Sequence, residues 1–236
     1  MTSSISILLK AYLDSDFFGK GIFISLFLLS TLSWVVIIYK SLIYKKIKQQ
    51  MTKDKEVIEN LSDGILNLSS FEPVSEFEPY KNLYSRMQEK AFKILEKNQY
   101  FAKDKQQAIF LNKDDLALIS VDLEAGIAKE MKKIENGLFI LNSSVSLAPF
   151  LGILGTVWGI LISLFEMQKG ASFSNTVIIQ GLSTALATTV IGLLIAIPAL
   201  IGYAYLKSVA KSVYIDLGVY SQELVSKLEL QYKKVD

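Results

Sequence analysis

The sequence contains no cysteine and no histidine. The absence of cysteine excludes disulfides, thiolate metal ligands and a thiol nucleophile. The absence of histidine excludes imidazole ligands and the Ser-His-Asp arrangement. No acidic cluster shows metal-ligand spacing, and no glycine-rich phosphate loop or dinucleotide fingerprint occurs. An excess of one charge is also missing: 25 Lys and Arg face 23 Asp and Glu, a net charge of +2. No basic field therefore points to nucleic acid. The expectation is a protein that is not an enzyme and holds no metal or cofactor.

What is present is apolar residue in long uncharged blocks. A hydrophobic fraction of 51% in 236 residues is close to that of a soluble domain, so the average decides little. The distribution decides more. The first block, Gly21–Tyr39 (GIFISLFLLSTLSWVVIIY), has about the twenty residues a helix needs to cross some 30 Å of hydrocarbon. It exceeds the apolar core of a signal peptide and no A-x-A-like site follows it, so a retained span is expected. Trp34 and Tyr39 suit an interfacial anchor at one end.

From Lys40 to Asn136 the chain is polar and rich in lysine and glutamate. Tyr84–Lys97 and Asp114–Lys133 mix apolar and charged residues at helical spacing, whereas Pro73 and Pro79 mark a loop. A soluble, mostly helical insertion is expected there. The second and third uncharged blocks run over Gly137–Phe165 and Ala171–Leu206. Each is longer than one span requires, so each helix can tilt or continue into water. The short Glu166–Gly170 connection makes them an antiparallel hairpin.

The resulting plan is all-α with three transmembrane helices, the long helices extending beyond the bilayer. An N-terminal segment covers 1–20 and span one 21–39. The insertion covers 40–136, and spans two and three cover 137–165 and 175–206. A connection covers 166–174 and a C-terminal amphipathic helix 207–236. Lys40, Lys45, Lys46 and Lys48 follow span one, and Lys207 and Lys211 follow span three. Positive charge collects on the inner side. The insertion and C-terminus are therefore expected inside, the N-terminus and the short connection outside.

Spans two and three are not uniform Leu, Ile and Val. Gly152, Gly155 (or Thr156) and Gly159 fall on one face of span two. Gly181, Ala185, Thr189, Gly192 and Ala196 recur at three- and four-residue steps in span three. Small stripes let helices approach closely in lipid. Thr156, Thr184, Thr188 and Thr189 add hydroxyls, which donate and accept hydrogen bonds without fixed charge. Two readings stand: a packing face only, or the wall of a proton path. Neither span contains a carboxylate or an amine, so a path would need an ionisable group from a partner. Glu166 lies at the outer edge as a boundary charge. Pro149 and Pro198 each remove a backbone donor inside an apolar helix, and Ser143, Ser144 and Ser146 lie near Pro149 to satisfy the freed carbonyl.

At these residues the chain resembles the TolQ/ExbB/MotA group of proton-channel proteins. Pro149-Phe-Leu-Gly-Ile-Leu-Gly-Thr-Val-Trp-Gly-Ile160 is similar to the second-span signature of TolQ and ExbB. Gly181-Leu-Ser-Thr-Ala-Leu-Ala-Thr-Thr-Val-Ile-Gly-Leu-Leu-Ile-Ala-Ile-Pro-Ala199 is similar to the third. The likeness extends over about Leu138–Tyr205. It implies a homo-oligomer, pentameric in the family, in a bacterial inner membrane. It also implies an ExbD- or TolR-like single-span partner that supplies an aspartate, and a TonB- or TolA-like transducer reaching across the periplasm. By motif position Thr156 and Thr189 fall on pore-lining threonines, with Thr184 and Thr188 beside them. Pro149, Gly152, Gly155, Gly159, Gly181, Ala185, Gly192 and Pro198 fall on packing or kink positions. Thr184 stands where many relatives have glutamate, so any role of that glutamate does not carry over. Three spans rather than four set the chain apart from MotA, and the reading leans to the TolQ type.

The function expected from the resemblance is a proton-channel subunit that uses the proton motive force to energise the transducer. The alternative is a non-conducting membrane scaffold. An enzyme in the insertion has no motif to support it.

Overall fold

The computed structural model describes residues 9–59, 65–66, 77–101, 110–168 and 175–232. Five long helices account for nearly all of them: α1 Phe17–Glu59, α2 Pro79–Phe101, α3 Lys113–Glu135, α4 Leu138–Gln168 and α5 Asn175–Tyr232. No strand occurs among the described residues, and α1, α4 and α5 are long and apolar enough to cross a membrane. The all-α, three-span expectation is borne out. Pro73 and residues 169–174 of the short connection lie outside the described residues.

The helices outrun the apolar blocks. α1 continues for twenty residues past Tyr39, and α5 is 58 residues long with no break at Leu206. Lysine, glutamate and glutamine are as good helix formers as leucine, so a change from apolar to charged residues does not end a helix. Pro79 opens α2, where its missing N–H leaves no bond unmade. Helices run through Pro149 and Pro198. Near Pro149 the Ser144 and Ser146 hydroxyls donate back to the Ile140 and Asn142 carbonyls, at 2.9 and 3.3 Å. They do not reach the Val145 carbonyl that Pro149 frees, contrary to the sequence expectation. Each hydroxyl prefers the carbonyl one turn before its own residue.

Two compact units divide the chain: Met1–Lys40 with Gly137–Leu206, and Ser41–Asn136 with Lys207–Asp236. In the first, Ile22 and Leu26 of α1 pack on Ala148 of α4 and on Ile195 and Ala196 of α5. Small residues on α4 and α5 admit α1 here. Phe23 forms a second cluster with Ala11 and Ala187, and Tyr12 meets it edge-on at 5.8 Å. Phe27, Val157 and Ile201 point outward and are largely exposed, as a lipid-facing surface requires.

In the second unit α2 lies against α3. Leu83, Met87 and Ala91 of α2 are buried, as are Ile119, Leu123 and Ile127 of α3. Arg86 is the only arginine in the chain. Its guanidinium grips Asp122 as a fork, Nε to Oδ2 at 2.7 Å and a terminal nitrogen to Oδ1 at 3.1 Å. Gly126 leaves room for it: a Cβ there would stand 2.8 Å from Leu83 and 3.0 Å from Arg86. α3 starts with a reciprocal capping box between Asn112 and Asp115. It stops at Gly137, whose φ of 86° only glycine adopts readily. That turn separates α3 from α4.

Candidate functional site

The site is the seam between α4 and α5 in the first unit. Antiparallel helices present their small residues to each other in register. Gly181 meets the Ser163 side chain, and Gly159 meets Ala185, where an added Cβ would lie 2.6 Å from the Ala185 Cβ. Gly155 lies against the Thr188 side chain. Gly152 lies against the backbone of Thr188 and Thr189, where an added Cβ would stand 3.0 Å from the Thr188 carbonyl oxygen and 2.9 Å from the Thr189 Cα. Gly192 lies against the Ala148 carbonyl. Side chains at these positions would push the helices apart, so dispersion contacts between backbones hold the hairpin where lipid supplies no hydrophobic drive.

Halfway along the seam the hydroxyls converge on one atom. The Gly152 carbonyl is approached by Thr156 Oγ1 at 3.1 Å, Thr188 Oγ1 at 3.1 Å and Thr189 Oγ1 at 3.0 Å. Thr156 and Thr189 also meet each other across the seam, Oγ1 to Oγ1 at 2.9 Å. Thr156 has a further acceptor in the Ile153 carbonyl at 2.9 Å, and Thr188 one in the Ala185 carbonyl at 2.7 Å. Each hydroxyl has a single proton to donate but two lone pairs. Acceptors therefore outnumber donors, and the Thr156–Thr189 pair has more than one proton arrangement of similar geometry. Such a pair can turn its donors toward, or accept from, a group that arrives beside it.

Burial separates the four threonines named from sequence. Thr188 is 2% exposed and sits inside the seam. Thr156 and Thr189 are half-buried, bonded to each other and still open to a neighbour. Thr184, one turn earlier on α5, is half-buried and takes no part in these bonds. Sequence spacing placed Thr189 in the packing stripe. The structure puts Thr188 at the closest approach and Thr189 at its edge.

One contact had no signal in the motifs. Trp158 Nε1 donates to Asp16 Oδ2 at 2.9 Å, and its ring lies 4.4 Å from that of Phe18. Asp16 Oδ1 accepts from the Gly19 amide at 3.0 Å, so the same carboxylate caps α1 and ties it to α4. The cap is readable from Asp16 preceding the apolar run. Its partner 142 residues away is not.

Comparison with known proteins adds the identity of the seam. A family model described as the MotA/TolQ/ExbB proton channel family matches residues 93–217. The biopolymer transport protein ExbB of Neisseria gonorrhoeae is 25% identical over 204 residues, 86% of this chain and 89% of that one. ExbB of Helicobacter pylori is 36% identical over 98 residues, 42% of this chain and 64% of the relative. The Tol-Pal system protein TolQ of Haemophilus influenzae is 30% identical over 103 residues, 44% of this chain and 45% of the relative. The family match covers more than half of the chain and takes in all of α4 and α5 as far as Leu217. The chain belongs to the MotA/TolQ/ExbB proton channel family, as an inner-membrane energising protein of the TolQ/ExbB type.

Proposed function

We propose that this chain is the proton-channel subunit of a TolQ/ExbB-type motor. It uses the proton motive force to energise a periplasm-spanning transducer, in biopolymer transport, outer-membrane uptake or envelope integrity. The observation that carries the reading is the half-buried Thr156–Thr189 pair, set on two apolar spans, 137–165 and 175–206, that contain no carboxylate or amine. Hydroxyls alone do not bind and release a proton near neutral pH. The titrating group must come from a second chain, and a single-span ExbD- or TolR-like protein with a membrane aspartate fits. Thr156 and Thr189 then hydrogen-bond that carboxylate as it gains and loses a proton. Thr188, sealed in the seam, holds the helices together and leaves the lining to Thr156, Thr189 and Thr184.

Several copies of the chain arranged around the partner would close the path, since one hairpin forms only one wall. The lysines after spans one and three support a cytoplasmic insertion and C-terminus and a periplasmic N-terminus. A TonB- or TolA-like transducer would receive the motion.

A second reading, a non-conducting scaffold, draws on the same seam. The glycine ladder and the bonds to the Gly152 carbonyl are what close helix packing needs. Replacing Thr156 and Thr189 together with valine separates the two. Shape is kept and the hydroxyls are lost. The channel reading expects energised transport or envelope integrity to fail while the protein still inserts and co-purifies with its partner. Wild-type transport in the double variant would favour the scaffold.

A further inference from the structure

The second unit contains a buried acid that the conduction chemistry does not use. Asp54 lies on the part of α1 beyond the span and is 4% exposed. Its Oδ2 has no hydrogen-bond partner. The Tyr220 hydroxyl of α5 is equally without one, on a residue 2% exposed. Buried polar atoms of this kind are rare, and each normally has a reason. Here an unpartnered acceptor and an unpartnered donor share one interior region.

The charges around Asp54 have one excess sign. From the start of α2, Glu78 and Lys81 face it and form an ion pair with each other at 3.5 Å. Tyr80 stacks on Tyr220, centroids 4.0 Å apart and planes 13° from parallel, and its hydroxyl donates to the Asp216 carbonyl at 3.4 Å. From α5, Asp216 and Glu223 add negative potential at the tyrosines, and Tyr84 of α2 also acts electrostatically on Tyr220. The flanking Lys53, Lys55 and Glu56 of α1 are exposed. With Asp54 ionised, two carboxylates share one ammonium in a confined space. With Asp54 protonated, the group of three is neutral and Asp54 acquires a donor. Burial, with Glu78 adding to it and Lys81 opposing it, moves the Asp54 carboxyl above the usual aspartate range.

We propose that Asp54 is a proton-binding site through which the pH of the compartment bathing this unit controls how tightly the α1 extension, α2 and the α5 extension pack together. Proton occupancy favours the closed arrangement. Its loss leaves an unpaired buried charge, which is relieved by opening the contact to water. A raised folded pKa means that the native state binds a proton which the unfolded chain has released. The stabilisation is present at low pH and is lost as pH rises through the Asp54 value. The proposal does not depend on whether the membrane hairpin conducts.

The test uses the full chain in lipid nanodiscs. Hydrogen–deuterium exchange is followed as pH is raised from about 4, the ordinary aspartate value, and corrected for intrinsic exchange. Wild type should lose protection in the segments around Asp54, Tyr80 and Tyr220 as pH rises. Asp54→Asn should stay protected throughout. Two further variants keep the proposal testable whatever Asp54→Asn does to folding. Glu78→Gln should move the midpoint to lower pH, and Lys81→Met should move it to higher pH. Opposite displacements of one midpoint are not expected of a merely structural cluster. A pH-independent wild type, or midpoints that do not move apart in the two variants, would overturn it.

Discussion

Gly152→Ala adds one methyl group at the centre of the seam. The new Cβ would stand 2.9 Å from the Thr189 Cα and 3.0 Å from the Thr188 carbonyl oxygen. Both are backbone atoms and cannot rotate away. Carbon atoms rest about 3.5–4.0 Å apart, so α4 and α5 must part by roughly 0.5–1 Å. That movement stretches the 2.9 Å Thr156–Thr189 bond and the 3.0 Å bond from Thr189 to the Gly152 carbonyl. Overpacking costs about 1–3 kcal/mol. Two interhelical bonds in a membrane protein add roughly 1 kcal/mol, at about 0.6 each. Alanine's better helix propensity returns about 1 kcal/mol. The net expectation is a loss of about 1–3 kcal/mol, roughly fivefold to 150-fold in the folded ratio. Denaturing-detergent titration in mixed micelles, read by circular dichroism, measures it. Gly218→Ala is the control, because nothing lies within 4 Å of its new Cβ. It should be neutral or slightly stabilising. If Gly152→Ala proves as stable as Gly218→Ala, the close approach of the two helices is wrong.

Two further expectations concern the second unit. Asn112→Ala removes one half of the capping box, the Asn112 Oδ1 that accepts from the Asp115 amide at 2.7 Å, and leaves the backbone amide of residue 112, which donates to the Asp115 carboxylate at 3.1 Å. A loss of about 0.5–2 kcal/mol, with fraying at the start of α3 by hydrogen exchange, is expected. Tyr80 is pushed up to about 12 by burial and by the nearby Asp216, Glu223 and Asp54. The native state keeps a proton that the unfolded chain gives up near the usual tyrosine value of about 10. Stability should therefore hold below about pH 10 and fall as pH rises toward about 12. Tyr80→Phe should make that fall shallower in alkaline denaturant titrations, with Tyr44 and Tyr220, also raised by burial, contributing to the remainder.

Much of the seam is legible in the sequence, because glycine and alanine at three- and four-residue steps specify a helix face before any contact is known. Gly159 against Ala185 and Gly181 against Ser163 follow once the hairpin is recognised. The register within a turn is not legible. Thr188 and Thr189 are adjacent and chemically identical, and a rotation of about 100° per residue decides which is sealed and which stays open. Helix ends were hidden for a different reason. The apolar-to-charged transitions at Lys40 and Lys207 mark where lipid would end, whereas the backbone continues through both. Contacts between distant polar residues left no trace in local pattern. Arg86 with Asp122, Asp16 with Trp158 and the burial of Asp54 depend on which helix faces meet, and nothing in its lysine-rich local sequence sets Asp54 apart from a solvated charge.

The central claim is that the Thr156 and Thr189 hydroxyls serve proton movement as well as packing. It is tested most directly by proton flux into liposomes containing this chain assembled with its aspartate-bearing single-span partner, under an imposed membrane potential. Thr156→Val with Thr189→Val should abolish most of the flux, while assembly with the partner is unchanged. Flux at the wild-type level in that double variant would contradict it.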